Sequence, residues 1–484
     1  MNVAIGRWAA ALVLLSLGAC GQGDSTPQSM SADPAAPPDS DTQQLRIGLA
    51  NGAKILCSSV FVSGRERQHV LAEELQEAAA QGVSFTLTDD PATVVASATG
   101  QSATAVYRGP LGCTLADADD ISGLLAQFDP AGYPALAPAD PQADWPQGTR
   151  VNVPETVDGV DLAAVDAAIT QAFAETDPDN LLRSRAVVVV HQGRIIAERY
   201  AEPFDAATPQ LGWSMTKTVT GALTGLLVAD GSLAVEQPAP VSEWQNEGDP
   251  RAAITLEHLL RMSSGLAFSE VYNAESASDV VAMLFGPGKD DMGSFTAKMP
   301  LDHPPGTHWS YSSGTSNLIA RIHRQQFESL QDYFTFPRER LFNPLGMASA
   351  VMEPDVSGTF VGSSYMYATP RDWARLGLLY LQDGVWNGER LLPPDWVAYS
   401  LTPAPAAEQG QYGAQVWLNH GADDDPADRP HPDLPAEMFY LSGFEGQNVV
   451  VVPSRDLVVV RMGLTRGAAR PIWTLTRGVL DAME

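Results

Sequence analysis

NVVVVPSRDLVVVRMG, residues 448–463, decides the architecture. Two runs of β-branched residues flank a Pro-Ser-Arg-Asp break, the pattern of two strands joined by a turn. The same signature stands far upstream in AVVVVHQGRIIAERY, residues 186–200, where Gln192-Gly193 supplies the turn. Helical periodicity brackets the two hairpins: VDLAAVDAAITQAFAE (160–175) precedes the first and PIWTLTRGVLDAM (471–483) follows the second. Strands at both ends of a long, mainly helical middle predict one antiparallel sheet built from the two ends of the domain, with helices packed on it. The fold class is α+β, without internal repeats.

Outward from that domain the composition changes. The chain has 484 residues and 44% apolar content, enough for one large core and a second unit. With 58 acidic against 29 basic residues its formal charge is −29, which repels nucleic-acid phosphates and anionic lipid surfaces. The acidity is spread along the chain, as on a surface kept soluble by repulsion. Residues 1–20, MNVAIGRWAAALVLLSLGAC, read as a secretory signal: one arginine, a short apolar run, then small residues before Cys20. Leu17-Gly18-Ala19-Cys20 resembles a bacterial lipobox, which makes Cys20 a lipidation site and the protein an exported lipoprotein anchored in a bacterial membrane, facing the periplasm or cell envelope. An ordinary cleaved signal that happens to hold a cysteine is the alternative. Residues 21–44 read as a flexible tether.

Residues 45–128 are expected to form a small α/β domain. LRIGLANGAKILCSSVFVSG (45–64) reads as strands around an Asn51-Gly52 turn, and QHVLAEELQEAAAQG (68–82) as a helix. Proline-rich 129–150 reads as a linker or extended wrap, leaving 151–484 as the main domain. In an exported chain Cys57 and Cys113 favour a disulfide, worth about 4 kcal/mol by loop closure. Two buried free thiols are the alternative.

The chemistry concentrates in GWSMTKTV, residues 212–219. Val219, Leu223, Leu226 and Leu227 recur at helical spacing before an Asp230-Gly231 stop, so Ser214 stands near a helix start and Lys217 one turn along the same face. A helix N-terminus favours an alkoxide or oxyanion at Ser214. Taken alone, an N-cap serine beside a solvated lysine explains the pair equally well. The second piece is PPGTHWSYSSGTSNLIARI (304–322), with Tyr311 between a turn and a helix. As a catalytic group Tyr311 needs a nearby cation to lower its pKa, and Lys217 is the candidate; otherwise it is a core plug. Gly212-Trp213-Ser214-Met215-Thr216 lacks the final glycine of the Gly-x-Ser-x-Gly nucleophile elbow. His303 and His308 lack a third ligand for a metal, and His258 reads as a core helix residue.

Ser214-x-x-Lys217, ITLEHLLRMSSGL (254–266), PPGTHWSYSSG (304–314) and FNPLGM (342–347) together resemble the penicillin-recognising serine hydrolases of the class C β-lactamase group, in the manner of the nylon-oligomer (6-aminohexanoate-dimer) hydrolases and related esterases. The likeness covers residues 155 to 482. It implies a β-lactamase/transpeptidase-like fold: an antiparallel sheet flanked by helices, a mostly helical subdomain, and the small N-terminal domain in addition. It implies Ser214 as the acylated nucleophile, Lys217 as its proton acceptor or orienter, and Tyr311 as the group passing the proton to the leaving group. The backbone N–H groups of Ser214 and Phe444 become the oxyanion hole, and Ser313, Ser442 and Gly443 substrate-binding positions; no cofactor or metal is called for. Two departures stand out. Tyr311-Ser312-Ser313 replaces the family's Tyr-x-Asn, and Leu441-Ser442-Gly443 replaces a Lys or His, small residue, Gly motif, so no cation awaits a β-lactam carboxylate. Three readings follow: a hydrolase of a small-molecule ester or amide, a β-lactamase or DD-peptidase, and a lipoprotein that only binds a ligand or partner. Tyr272, Trp417 and Glu445 are candidates for lining the pocket.

Overall fold

The computed structural model describes residues 40–135, 142–272, 278–422, 426–467 and 469–483. The signal segment, Cys20 and the tether up to residue 39 lie outside the described residues. The main sheet is antiparallel and six-stranded, in the order Trp417–Leu418, Phe439–Gly443, Gln447–Val452, Leu457–Gly463, Ser184–His191, Arg194–Tyr200. Its two hairpins are those of the valine runs, and they join at the centre, where Val458 and Val460 face Val190 and Val188. Gln192 and Gly193 both take positive φ, matching the twist of a two-residue hairpin turn.

Both faces of this sheet are covered, which is why its central strands carry unbroken valine runs instead of alternating. Val187, Val189, Val450 and Val459 meet Val165 and Ile169 of the helix Leu162–Phe173 and Ile472, Leu475 and Val479 of the helix Pro471–Asp481. Ala186, Val188, Val449, Val451 and Val458 face the opposite way, into a larger core with Val219 and Leu223 of the helix Thr216–Ala229 and Leu376 and Leu379 of the helix Pro370–Leu381. The intervening chain forms the mostly helical region, including Ser313–Arg324 and Leu330–Pro337. Asp161 caps its helix by accepting from the N–H groups of Ala163 and Ala164.

The early segment departs from the sequence expectation. Residues 45–64 are not a hairpin: Ser40–Phe61 is one helix, which also takes in the end of the expected tether. Leu49, Ala50, Ala53, Leu56 and Cys57 are all buried, a 3.6-residue stripe hidden among β-formers. Gly52, read as a turn, is where the Phe85 ring lies against the helix; a Cβ there would sit 3.0 Å from the ring. The helix crosses a four-stranded antiparallel sheet, Ser84–Asp89, Ala92–Ala98, Gln101–Tyr107, Cys113–Ala116. Residues 68–82 form two short helices, Arg67–Glu73 and Gln76–Ala80. A Cys57–Cys113 disulfide ties the long helix to the last strand.

This unit is joined to the main domain through buried polar chemistry. Lys54, 2% exposed, pairs with Glu353, whose other oxygen accepts from Ser58 Oγ and the Cys113 N–H, each at 2.7 Å. Each partner satisfies a charge that would otherwise be stranded in the interior. Residues 142–150 pack rather than dangle: Trp145 is buried in the larger core, and Arg375 donates to the carbonyls of Pro146 and Gly148. Among the described residues no helix is long and apolar enough to cross a membrane.

Candidate active site

Ser214 occupies a single 3-10 turn, Trp213–Met215, at the entry to the helix Thr216–Ala229. Trp213 holds φ of 48°, a left-handed backbone that a tryptophan rarely adopts and that turns the serine out of the helix. Two glycines make the approach possible. A Cβ on Gly212 would lie 2.2 Å from the Trp373 ring, and one on Gly443 would lie 2.2 Å from the Gly212 carbonyl oxygen. The chain at 443–445 therefore crosses directly against the turn that carries Ser214, bringing Phe444 beside it.

The helix behind the serine is buried on nearly all sides, which the threonines of TKTVTGALT make affordable in hydrogen bonds. Thr216, Thr218 and Thr220 donate to the carbonyls of Trp213, Gln415 and Gly362. Every one of these hydroxyls is satisfied. Lys217, on the same helix, is 1% exposed. Its Nζ lies 3.0 Å from Ser214 Oγ, 3.0 Å from Ser313 Oγ and 3.1 Å from the Ser363 carbonyl oxygen. The Ser363 peptide is held in turn by its N–H bonding Asn317 Oδ1 at 3.0 Å. Burial pulls the Lys217 ammonium down from 10.5 to about 8, against the nearby charge of Glu270, which raises it.

Tyr311 completes the cluster. Lys217 Nζ lies 4.8 Å from the centroid of its ring, and its phenol meets Ser214. Burial, rather than a neighbouring cation, dominates this phenol. Burial raises its pKa well above 10, and the contact with Ser214 pulls the other way. Lys217 addresses the ring face rather than the oxygen.

Ser313, the departure from Tyr-x-Asn, opens the helix Ser313–Arg324 and accepts from Lys217. Leu441 is 1% exposed and packs into the larger core, while Ser442 Oγ accepts from Asn448 Nδ2 at 3.3 Å. Tyr272 stacks on Phe444 with ring centroids 5.2 Å apart, and Trp213 meets Phe444 edge-on at 5.8 Å. On the other side Trp417 lies 5.0 Å from Tyr311, centroid to centroid. Phe444 is 42% exposed, an open aromatic lip beside the serine. Glu445 points away to an ion pair with Arg466 at 2.8 Å. His303 and His308 stack on each other with centroids 4.1 Å apart, and no group of three or more metal-ligating side chains occurs among the described residues.

Sequence reasoning missed Glu270. Its carboxylate accepts from the Ser313 N–H at 2.8 Å, from Ser313 Oγ at 2.6 Å and from the Tyr272 phenol at 2.9 Å. Nothing local marks it; the only available signal was a lone acid shortly after the MSSGL stretch, whose partner lies 43 residues on.

The Beta-lactamase family model matches residues 169–470. An uncharacterized protein of Mycobacterium tuberculosis is 27% identical over 258 residues, 43% of this chain and 63% of the relative, so the match spans less than two thirds of that protein's length. The 6-aminohexanoate-dimer hydrolase of Paenarthrobacter ureafaciens is 23% identical over 304 residues, 57% of this chain and 71% of the relative. A solved penicillin-binding protein homolog from Caulobacter crescentus shares the fold, with a TM-score of 0.51 and 19% identity over 69% of this chain and 99% of its own.

Proposed function

The chain belongs to the Beta-lactamase family, and from that premise we propose that it hydrolyses an ester or amide through a Ser214 acyl-enzyme, with Lys217 and Tyr311 as its proton-transfer groups. One observation carries the reading: a lysine amine shut away from water, 3.0 Å from a serine oxygen and with its pKa brought to about 8. Lys217 takes the Ser214 proton as the oxygen attacks the carbonyl, and the backbone N–H groups of Ser214 and Phe444 receive the oxyanion. Tyr311 gives its proton to the departing alkoxide or amine. Water then attacks the acyl group, its proton returns through the same groups, and Ser214 is restored.

The surroundings favour an apolar acyl or alcohol portion, because Phe444, Tyr272 and Trp417 supply aromatic surface. A relative named as a 6-aminohexanoate-dimer hydrolase supports cleavage of a linear amide or ester over opening of a β-lactam. Treatment with a fluorophosphonate probe and mass spectrometry is expected to place one adduct, on Ser214; an unmodified protein would favour a binding lipoprotein instead. Nitrocefin is expected to be turned over slowly or not at all, since buried Leu441 offers a β-lactam carboxylate no charge. Rapid colour change would point to the β-lactamase or DD-peptidase reading. We also retain lipidation at Cys20 as a proposal, on the lipobox pattern alone; labelled palmitate should enter the wild type and not Cys20→Ala.

A further inference from the structure

Resting on the acyl-enzyme reading above, we infer that Glu270 is a positioning residue which, by fixing the direction of the Ser313 hydroxyl, aims the lone pair of the Lys217 amine at Ser214. Glu270 accepts from three donors, the Ser313 N–H, the Ser313 hydroxyl and the Tyr272 phenol, and so presents both oxygens as acceptors. The Ser313 hydrogen is committed to Glu270 at 2.6 Å. Its oxygen is therefore left able only to accept, and Lys217 Nζ stands 3.0 Å from it. The Ser363 carbonyl, 3.1 Å from the same nitrogen, is an acceptor by nature.

A neutral amine has two N–H bonds and one lone pair. The two obligate acceptors take both hydrogens. What remains on the nitrogen is the lone pair, and the third neighbour, Ser214 Oγ at 3.0 Å, must then be the donor. Once the amine is neutral, the serine hydrogen is thus directed at the base before any substrate arrives, which is the geometry general-base attack requires. Were the Ser313 hydroxyl free to rotate, it could donate to the amine and occupy the lone pair itself. A hydroxyl locked by a carboxylate thus stands where the family motif has an asparagine, and the departure at residue 313 has a structural counterpart at residue 270.

Glu270 has a second effect, electrostatic, on the same nitrogen. Its charge favours the ammonium and opposes the dominant effect of burial. The other titratable groups around Lys217 are the phenols of Tyr311, Tyr272 and Tyr412, all held protonated by burial. Near pH 8 the carboxylate is therefore the charge that a pH profile would report.

The experiment first establishes fluorophosphonate labelling of wild-type Ser214; if that fails, the acyl-enzyme reading falls and this inference with it. With labelling in hand, p-nitrophenyl acetate hydrolysis is followed against pH for Glu270→Gln, Glu270→Asp, Ser313→Ala and the Glu270→Gln/Ser313→Ala pair. Glu270→Gln is expected to lower kcat roughly 100-fold with KM little changed. Its residual activity should have the acidic limb displaced below the wild-type position, because the charge that favoured the ammonium is gone. Glu270→Asp keeps the charge and should return the limb towards its wild-type position. Ser313→Ala removes the link itself, and the paired variant should be no worse than the poorer single one, since both act through one hydroxyl. Losses that multiply in the pair, or a Glu270→Gln limb that stays in place, would reduce Glu270 to a loop anchor and overturn the inference while leaving the acyl-enzyme standing. Should Glu270→Gln fail to fold, Ser313→Ala decides alone: unchanged kcat overturns it.

Discussion

Ser214→Ala is expected to reduce turnover of p-nitrophenyl acetate by about 10⁴- to 10⁶-fold while leaving circular dichroism and melting temperature near wild type. The size follows from losing covalent catalysis outright: with no oxygen to accept the acyl group, only binding and the oxyanion donors remain to act on a water. The mildness of the structural effect follows from where the residue sits. Ser214 is half-buried at a helix entry, and the lysine amine keeps its bonds to Ser313 and the Ser363 carbonyl when the serine hydroxyl is removed. Neither Trp213 nor the crossing of Gly212 with Gly443 depends on the serine side chain. Activity within tenfold of wild type in purified Ser214→Ala would mean that the hydrolysing group lies elsewhere, and the fluorophosphonate adduct would then show where.

How much of this was legible in the sequence depended on whether the signal was local. The two hairpins were, because strands covered on both faces need not alternate and so appear as the valine runs around residues 187–190 and 449–460. Ser214 and Lys217 were, because three residues on a helix is a fixed geometry that brings the two to one face. The helix Ser40–Phe61 was not: its stripe of buried residues shares the segment with Ile55, Val60 and Phe61, which carry strand preference, and the packing of Phe85 on Gly52 decides the outcome from outside the segment. The elevated pKa of Tyr311 was hidden for a related reason, since burial, not the neighbouring cation, dominates it. Glu270 was least legible of all. Its meaning lies wholly in a contact with Ser313, made by an irregular loop whose course no periodicity encodes, and the same holds for Lys54 and Glu353, whose pairing joins the two ends of a long stretch of chain.

Lys217→Arg is expected to abolish activity, by roughly 10³-fold or more, and to remove the pH dependence that the wild type should show. If the amine accepts the Ser214 proton, kcat/KM must climb as Lys217 loses its own, so the wild-type profile should rise with pH through a midpoint near 8. Arginine keeps the positive charge and can reach similar partners, yet it does not deprotonate in this range, so it separates a proton acceptor from a mere counter-charge. The same shift fixes the sign of the stability term. In the unfolded chain this amine holds its proton up to the ordinary 10.5, whereas in the fold it releases it at about 8. Between those values the unfolded state binds the extra proton, so stability rises with pH across the window, and at pH 7 the buried ammonium costs about 3 kcal/mol. Denaturant unfolding from pH 7.5 to 10 should show this rise in the wild type and a smaller one in Lys217→Met, where only the other buried cations, such as Lys54, still release protons. A flat activity profile with a fully active Lys217→Arg would instead make the lysine an electrostatic fixture and leave Ser214 in need of another base.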